Sequence, residues 1–160
     1  MNPNWRYGRH PGFNAAGFVI LPSDAGSEWT VVRAGAADRG FLGEMLYEAA
    51  FWRPGGVRPA LEQALCRPDL AKWLDGWGQR GGDAGVIALG DGEAPVGAAW
   101  YRHWTDGNHS FGYVSETVPE LAIGVVEAFR GRGVGKALLT ALFLEASRNR
   151  IEQLSLSVAK

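Results

Sequence analysis

The sequence predicts an α/β domain with a mixed, mostly antiparallel central sheet and a parallel strand–helix–strand unit at its C-terminal end. Two patterns indicate this class. The apolar runs 85–89 and 96–101 are joined by the turn signal Asp91-Gly92, which is typical of a β-hairpin. An apolar strand at 121–126 leads through a glycine-rich turn into a long amphipathic helix and a last strand at 154–158. Two strands joined by a helix in this way should be parallel, with a right-handed crossover.

The elements before the hairpin follow from local signals. A β-branched run at 29–33 predicts the first strand. Asp38 is a suitable N-cap for a helix with apolar residues at helical spacing, which Pro54-Gly55-Gly56 ends. Pro59 can open a second helix. The helical spacing then continues, after Pro68, through a set of apolar residues: Leu70, Trp73, Leu74 and Trp77.

Length and charge limit the function classes. The chain has 160 residues, with 16 Lys and Arg against 17 Asp and Glu. We expect a loosely ordered extension over 1–28 and one domain over 29–160. A net charge of -1 removes the general electrostatic case for binding nucleic acid or a membrane surface. There is no apolar run of about 20 residues and no apolar signal core near Met1, so we expect a cytoplasmic protein. The single cysteine, Cys66, excludes an internal disulfide, and we expect it to pack against its neighbours rather than to act as a nucleophile.

The turn before the long helix carries three alternate glycines among basic side chains. These residues are Arg130, Gly131, Arg132, Gly133, Gly135 and Lys136. The first turn of a helix has unpaired N–H groups and a partial positive charge, and glycines let a ligand approach the backbone. The pattern predicts a phosphate-binding site. A tight strand-to-helix connection alone would account for one or two of the glycines, but not for three with arginines between them.

Two common phosphate motifs do not fit. A Walker loop would need glycine at Arg130 and a hydroxyl at Ala137. The dinucleotide fingerprint fails because the glycines are spaced Gly131-x-Gly133-x-Gly135. What fits is Arg-x-x-Gly-x-Gly, from Arg130 to Gly135.

With this motif after an apolar strand, the chain resembles the GNAT-type N-acetyltransferase superfamily over about residues 29–158, most specifically over 120–139. The resemblance implies an acyl-CoA N-acyltransferase-like fold, acetyl-coenzyme A as co-substrate and no metal. It implies transfer of an acetyl group to a primary amine of a small molecule or peptide. It also implies that Val125 and Val126 contact the pantetheine arm. The residues implied to hold the pyrophosphate are Arg130, Gly131, Arg132, Gly133, Val134, Gly135 and Lys136.

The resemblance also suggests catalytic groups. Many similar enzymes have a carboxylate where this chain has Glu120, acting as a base through water, and Glu116 is the second candidate. The backbone N–H of Val125 could stabilise the oxyanion. Similar enzymes usually place a tyrosine in a helix after the final strand, but this sequence ends at Lys160. Tyr113 is therefore the candidate acid within the domain.

The same departure from the family pattern leaves the domain C-terminally incomplete, and two further functions stay open. These are a catalytically weak or inactive acyl-coenzyme A-binding module, and a structural or interaction domain unrelated to coenzyme A. An unfinished sheet edge after Val158 favours a homodimer. Several aromatic residues are candidates for either the core or an acceptor pocket: Trp73, Trp77, Trp100, Trp104, Phe111 and Tyr113. The identity of the amine is not encoded in any motif.

Overall fold

The computed structural model describes residues 29–158, and the predicted N-terminal extension lies outside them. Four strands form one antiparallel sheet in the order β1-β2-β3-β4. They are β1 Thr30–Arg33, β2 Ala84–Leu89, β3 Pro95–Arg102 and β4 Glu120–Val125. The helices are α1 Arg39–Ala50, α2 Leu61–Leu65, α3 Pro68–Ala71 and α4 Val134–Arg148. Within residues 29–158, three short 3-10 turns cover Ala36–Asp38, Asp91–Glu93 and Glu127–Phe129. The predicted antiparallel α/β class is confirmed.

The sheet is covered on both faces. One core cluster contains α1, the α2–α3 region and Trp100, and the other contains α4 and Tyr101. Successive residues of a strand point to opposite faces, so a covered sheet buries both. The pattern of the hairpin predicts that one of Trp100 and Tyr101 is in the core, and the structure buries both completely.

Helix α1 lies directly against β4. A Cβ built on Gly124 would come within 2.1 Å of the carbonyl oxygen of Met45, so the helix backbone touches the strand backbone at this point. The buried stripe of α1 contains the residues whose spacing predicts the helix: Phe41, Leu42, Met45 and Leu46. This contact fixes the distance between α1 and the strand that leads into the glycine-rich turn.

Helix α4 packs on the other face of the sheet. Its predicted apolar stripe, Val134, Leu138, Leu142 and Ala146, is buried. The carboxylate of Glu145 is also buried and is hydrogen-bonded to Arg33 and Arg148 at 2.7–2.9 Å. Burial acts to raise the pKa of Glu145, but the hydrogen bonds from the two guanidinium groups outweigh it, and the net pKa is lowered. The pair of arginines therefore keeps a buried carboxylate charged.

The C-terminal segment differs from its prediction. The expected strand over 154–158 is reduced to a single parallel bridge between Ser155 and Glu120. Leu121 donates its N–H to the carbonyl of Ser155 at 2.8 Å, and Ser155 donates to the carbonyl of Pro119 at 3.0 Å. Leu156 and Val158, which follow the bridge, are exposed. The parallel strand–helix–strand unit is therefore not confirmed beyond this one bridge.

Two details of the helical region also differ from the sequence prediction. The spacing predicts helix as far as Trp77, whereas α3 ends at Ala71 and turns follow it. The predicted residues are still buried, because the turns keep Trp73 and Trp77 against the sheet. Cys66, expected to pack, is exposed just after the end of α2, so that expectation was wrong.

Candidate functional site

The glycine-rich turn connects β4 to α4 through two left-handed residues. Gly131 has φ +74° and Gly133 has φ +82°, and Gly133 is the N-cap of α4. Residues with a side chain are disfavoured in this region of backbone space, which explains why glycine occupies these two positions. Gly135 lies in the first turn of α4 without a positive φ. Backbone conformation therefore does not explain why residue 135 is glycine.

The turn is open on its outer side. A Cβ built on Gly131 or Gly133 meets no atom of residues 29–158 within 4 Å, and one built on Gly135 is 4.0 Å from Ile123 Cδ1. The first N–H groups of the 15-residue α4 point out of the helix end here. An anionic group can therefore approach the backbone closely at this point. This shape fits a pyrophosphate.

The two arginine side chains of the turn have different partners. Arg130 donates through Nε to the carbonyl of Val125 at 3.2 Å and through a terminal nitrogen to Glu48 at 2.7 Å. Glu48 also accepts a hydrogen bond of 2.6 Å from Arg58. Arg132 lies over the ring of Phe129, with 5.5 Å from its Cζ to the ring centroid. The guanidinium of Arg130 is thus directed toward the C-terminal end of α1 rather than into the turn.

The backbone N–H groups of β4 point alternately toward β3 and toward the outer edge of the sheet. Val126 donates its N–H to Val96 at 2.9 Å, whereas Leu121 donates to Ser155 on the opposite side. Because the direction alternates along a strand, the N–H groups of Ile123 and Val125 point away from β3. Val125 is therefore placed to contact a ligand along the outer edge. The N–H of Val126 is already used within the sheet.

Glu120, the candidate base, is fully buried. Its Oε1 accepts hydrogen bonds from the N–H of Gly112 at 2.8 Å and from the hydroxyl of Ser157 at 3.1 Å. Its Oε2 is buried with no hydrogen-bond partner among residues 29–158. One oxygen thus holds the loop before β4, and the other is left with acceptor capacity. This is not the exposed carboxylate expected of an ordinary strand end.

Tyr113, the candidate acid, lies in the loop between β3 and β4. Its hydroxyl donates a hydrogen bond of 2.5 Å to Asp106, and its ring stacks on His109 with 4.6 Å between centroids. The hydrogen bond to Asp106, with smaller contributions from burial and nearby carboxylates, raises the pKa of Tyr113 to about 12. The phenol therefore stays protonated at neutral pH. Glu116, the alternative base, is exposed and accepts a hydrogen bond of 3.4 Å from the N–H of Asp106.

The four candidate tryptophans belong to the core. Trp73 makes edge-to-face contacts with Trp100 at 6.2 Å and with Trp104 at 5.0 Å between centroids. These three residues and Trp77 are all buried, whereas Phe111 is 84% exposed. Of the aromatic candidates, Phe111 thus offers the most surface to an acceptor. A groove of about 820 Å³ lies at the opposite end of β3 from the glycine-rich turn, lined in part by Asp83, His103 and Arg150.

Sequence reasoning did not single out Glu48, Arg58 or Trp29, although all three bear on the turn. Glu48 and Arg58 reach it through Arg130, and the indole of Trp29 donates to the carbonyl of Arg132 at 3.1 Å. They are distant in sequence and belong to no motif, so only the folded chain reveals them. Over residues 29–158 there is no cluster of three or more metal-ligating side chains. No helix in that range is long and apolar enough to cross a membrane.

The chain is similar to a known sequence family and to solved structures. It matches the sequence model of the Acetyltransferase (GNAT) family over residues 44–160. A GCN5-related N-acetyltransferase from Ralstonia eutropha JMP134 aligns with a TM-score of 0.59 at 19% identity, over 82% of this chain and 84% of that one. A ribosomal-protein-alanine N-acetyltransferase from Brucella melitensis has a TM-score of 0.53 at 24% identity, over 79% and 72%. No curated protein sequence matches the chain.

A third structure, AAC(6′)-Iy, was solved with the bisubstrate analogue CoA-S-monomethyl-acetylneamine. It aligns with a TM-score of 0.52 at 22% identity, over 83% of this chain and 81% of that one. At these identities the structures show a shared fold. The family model adds the sequence evidence, because its match runs from α1 through the glycine-rich turn to the end of the chain. The protein belongs to the GNAT family of acetyltransferases.

Proposed function

We propose that this protein is an acetyl-coenzyme A-dependent N-acetyltransferase that acts on a primary amine of a small molecule or peptide. The observation that carries the proposal is the open turn at the N-terminus of α4, where Gly131 and Gly133 leave the backbone accessible. Acetyl-coenzyme A has a pyrophosphate that such a turn can bind. The GNAT family membership supports the same ligand.

The parts of the coenzyme can be assigned to different groups. The backbone of residues 131–135 would hold the pyrophosphate, with Arg130, Arg132 and Lys136 supplying positive charge. The outer edge of β4 would hold the pantetheine arm, which brings the thioester toward the N–H of Val125. The bound coenzyme would supply the activated acetyl group. A backbone N–H already fixed at the thioester carbonyl would stabilise the developing oxyanion without reorganisation.

Acetyl transfer to an amine requires proton transfers at the acceptor nitrogen and at the leaving sulfur. The acceptor arrives as an ammonium ion and gives one proton to a base. Its nitrogen then attacks the thioester carbonyl, and the C–S bond breaks. The nitrogen releases its second proton to solvent, and the leaving thiolate takes a proton from the acid. We assign the base to Glu120, acting through water from its unpartnered Oε2. We assign the acid to Tyr113, whose phenol keeps its proton at neutral pH.

One observation favours the second candidate, a catalytically weak acyl-coenzyme A-binding module. Glu120 is fully buried and holds the loop before β4 through Gly112. A carboxylate used in this way can be structural, and an acceptor would need movement of that loop to reach it. Cytoplasmic location and a homodimer stay predictions from the sequence.

Two measurements test the proposal. Isothermal titration with acetyl-coenzyme A asks whether the chain binds the coenzyme, and absence of binding contradicts both candidates. Release of coenzyme A with a panel of amines, which includes a peptide with a free N-terminus and an aminoglycoside, separates the enzyme from the binding module. Product mass spectrometry should show one added acetyl group. Binding without turnover on any amine favours the module.

A further inference from the structure

Trp29 lies beside the glycine-rich turn, although it precedes β1 and falls outside residues 44–160 matched by the family model. Its indole nitrogen donates to the carbonyl of Arg132 at 3.1 Å. Its ring meets the ring of Phe129 edge-to-face, with 5.8 Å between centroids. The other side of the indole is close to Gly90, where an added Cβ would be 3.3 Å from Cζ3. Trp29 is thus held between the hairpin turn and the glycine-rich turn.

The carbonyl that Trp29 binds belongs to the peptide group that joins Arg132 to Gly133, inside the glycine-rich turn. Arg132 is the residue between Gly131 and Gly133, both of which are in the left-handed region. Glycines lose more conformational freedom on folding than other residues, so a turn built from them is costly to hold in one shape. A bond to the intervening carbonyl restricts that freedom directly.

Peptide geometry extends this restriction to an N–H group. The carbonyl of Arg132 and the N–H of Gly133 belong to one planar trans peptide, so they point in opposite directions. When the indole holds the carbonyl, the N–H of Gly133 is directed away from it. That N–H belongs to the N-cap residue of α4, where an anion is expected to bind.

We propose that Trp29 is a positioning residue for the coenzyme, which orients the Arg132–Gly133 peptide so that the N–H of Gly133 can bind the pyrophosphate. This rests on the proposed use of acetyl-coenzyme A. The contact acts only on the phosphate end of the coenzyme. It therefore separates ligands that carry the pyrophosphate from ligands that lack it.

The test compares two Trp→Phe variants. Trp29→Phe keeps an aromatic ring beside Phe129 but removes the N–H donor. Trp77→Phe is the matched control, because Trp77 donates a similar hydrogen bond of 2.9 Å to the carbonyl of Gly35, away from the turn. We expect Trp29→Phe to raise the Kd for acetyl-coenzyme A roughly three- to tenfold, as for the loss of one hydrogen bond. We expect Trp77→Phe to leave this Kd unchanged.

Acetyl-pantetheine, which has the thioester but no pyrophosphate, supplies the second readout. Its KM should be the same in Trp29→Phe and in the wild-type protein. Equal Kd values for acetyl-coenzyme A in the two variants, or equal weakening of both thioesters by Trp29→Phe, would overturn the inference. If Trp29→Phe does not fold, Phe129→Leu removes the ring that supports the indole and should give the same selective loss. Failure of the wild-type protein to bind acetyl-coenzyme A would instead refute the proposed function.

Discussion

The guanidinium of Arg130 is 2.7 Å from the carboxylate of Glu48, although the two residues are 82 positions apart in the sequence. Glu48 lies near the C-terminal end of α1, and Arg130 opens the glycine-rich turn. The other oxygen of Glu48 accepts a hydrogen bond from Arg58, in the segment between α1 and α2. One carboxylate therefore connects the turn to the helix and to the segment that follows the helix.

Arg130→Ala should weaken binding of acetyl-coenzyme A. The guanidinium contributes positive charge beside the turn, so we expect a roughly three- to tenfold rise in Kd at low salt, which becomes smaller as salt screens the charge. Titration calorimetry at two ionic strengths measures this. Arg67→Ala is the control, because Arg67 pairs with Asp69 beside α3. A loss that is the same at both ionic strengths would exclude the electrostatic explanation.

Glu48→Gln should have the opposite effect on coenzyme affinity. The carboxylate competes with the pyrophosphate for Arg130, and its removal should lower the Kd about two- to threefold at low ionic strength. The free energy of unfolding should fall by at most about 1 kcal/mol, since ion pairs near the surface contribute little. Glu62→Gln, on α2, is the control for a general change of charge. Weaker binding by Glu48→Gln would show that Glu48 instead holds Arg130 in its binding position.

The two substitutions Gly133→Ala and Gly135→Ala should differ in stability. Gly133 has φ +82°, and alanine there costs about 1–2 kcal/mol in the left-handed region. Gly135 has no positive φ, and within residues 29–158 its added methyl meets only Ile123, at 4.0 Å, so alanine should not destabilise the helix. Both should weaken binding of acetyl-coenzyme A by crowding the pyrophosphate. Thermal melting and calorimetry together check this. Unchanged affinity in both variants would remove the coenzyme from the turn.

Glu120→Gln tests the proposed base. Glutamine can still accept the hydrogen bonds from Gly112 and Ser157 through its amide oxygen, so the loop should stay in place. We expect kcat to fall at least roughly tenfold, with the Kd for acetyl-coenzyme A almost unchanged. Glu116→Gln is the matched control. An unaltered kcat in Glu120→Gln would assign the carboxylate a structural role.

The phenol of Tyr113 should titrate at an unusually high pH. Its hydrogen bond to Asp106 is the main cause of a pKa of about 12, against an ordinary value of 10.0. Because the folded-state pKa is raised, the stabilisation is complete below about pH 10 and is lost as pH rises toward 12. Asp106→Asn should bring the pKa back toward 10, which ultraviolet titration of tyrosinate measures. A high pKa that persists in Asp106→Asn would contradict this cause.

Tyr113→Phe separates the catalytic role of the phenol from its structural one. If Tyr113 protonates the leaving thiolate, kcat should fall about tenfold while binding of acetyl-coenzyme A is retained. Tyr47→Phe is a control, because Tyr47 also donates a hydrogen bond through its hydroxyl, to the carbonyl of Pro59. Equal kcat in Tyr113→Phe and the wild-type protein would assign the acid elsewhere.

Local patterns predicted most of the fold and the glycine-rich turn. The apolar runs of β2 and β3 and the apolar stripe of α4 are patterns within single elements, so they can be recognised in sequence. The reduction of 154–158 to a bridge at Ser155 could not be predicted in this way, because pairing depends on where another strand edge lies. The burial of both Trp100 and Tyr101 depends in the same way on layers contributed by distant segments.

The candidate site also has one part that could be predicted from the sequence and one part that could not. The backbone part could be predicted, because Gly131 and Gly133 have positive φ and glycine is favoured at such positions. The side-chain part depends on long-range partners: Glu48 for Arg130 and Asp106 for Tyr113. Glu120 was singled out from the family pattern, but its complete burial and its hold on Gly112 are properties of the folded chain.

The contact of Gly124 with the carbonyl of Met45 has a consequence for how this protein can change during evolution. Any side chain at position 124 would push α1 away from β4, since even a Cβ would come within 2.1 Å of the helix backbone. Glu48 lies on α1 one turn beyond Met45, so the same displacement would move its carboxylate relative to Arg130. A mutation at this glycine would thus alter ligand affinity by displacing α1 from β4. Selection on coenzyme use would then act on position 124 through the distance between a helix and a strand.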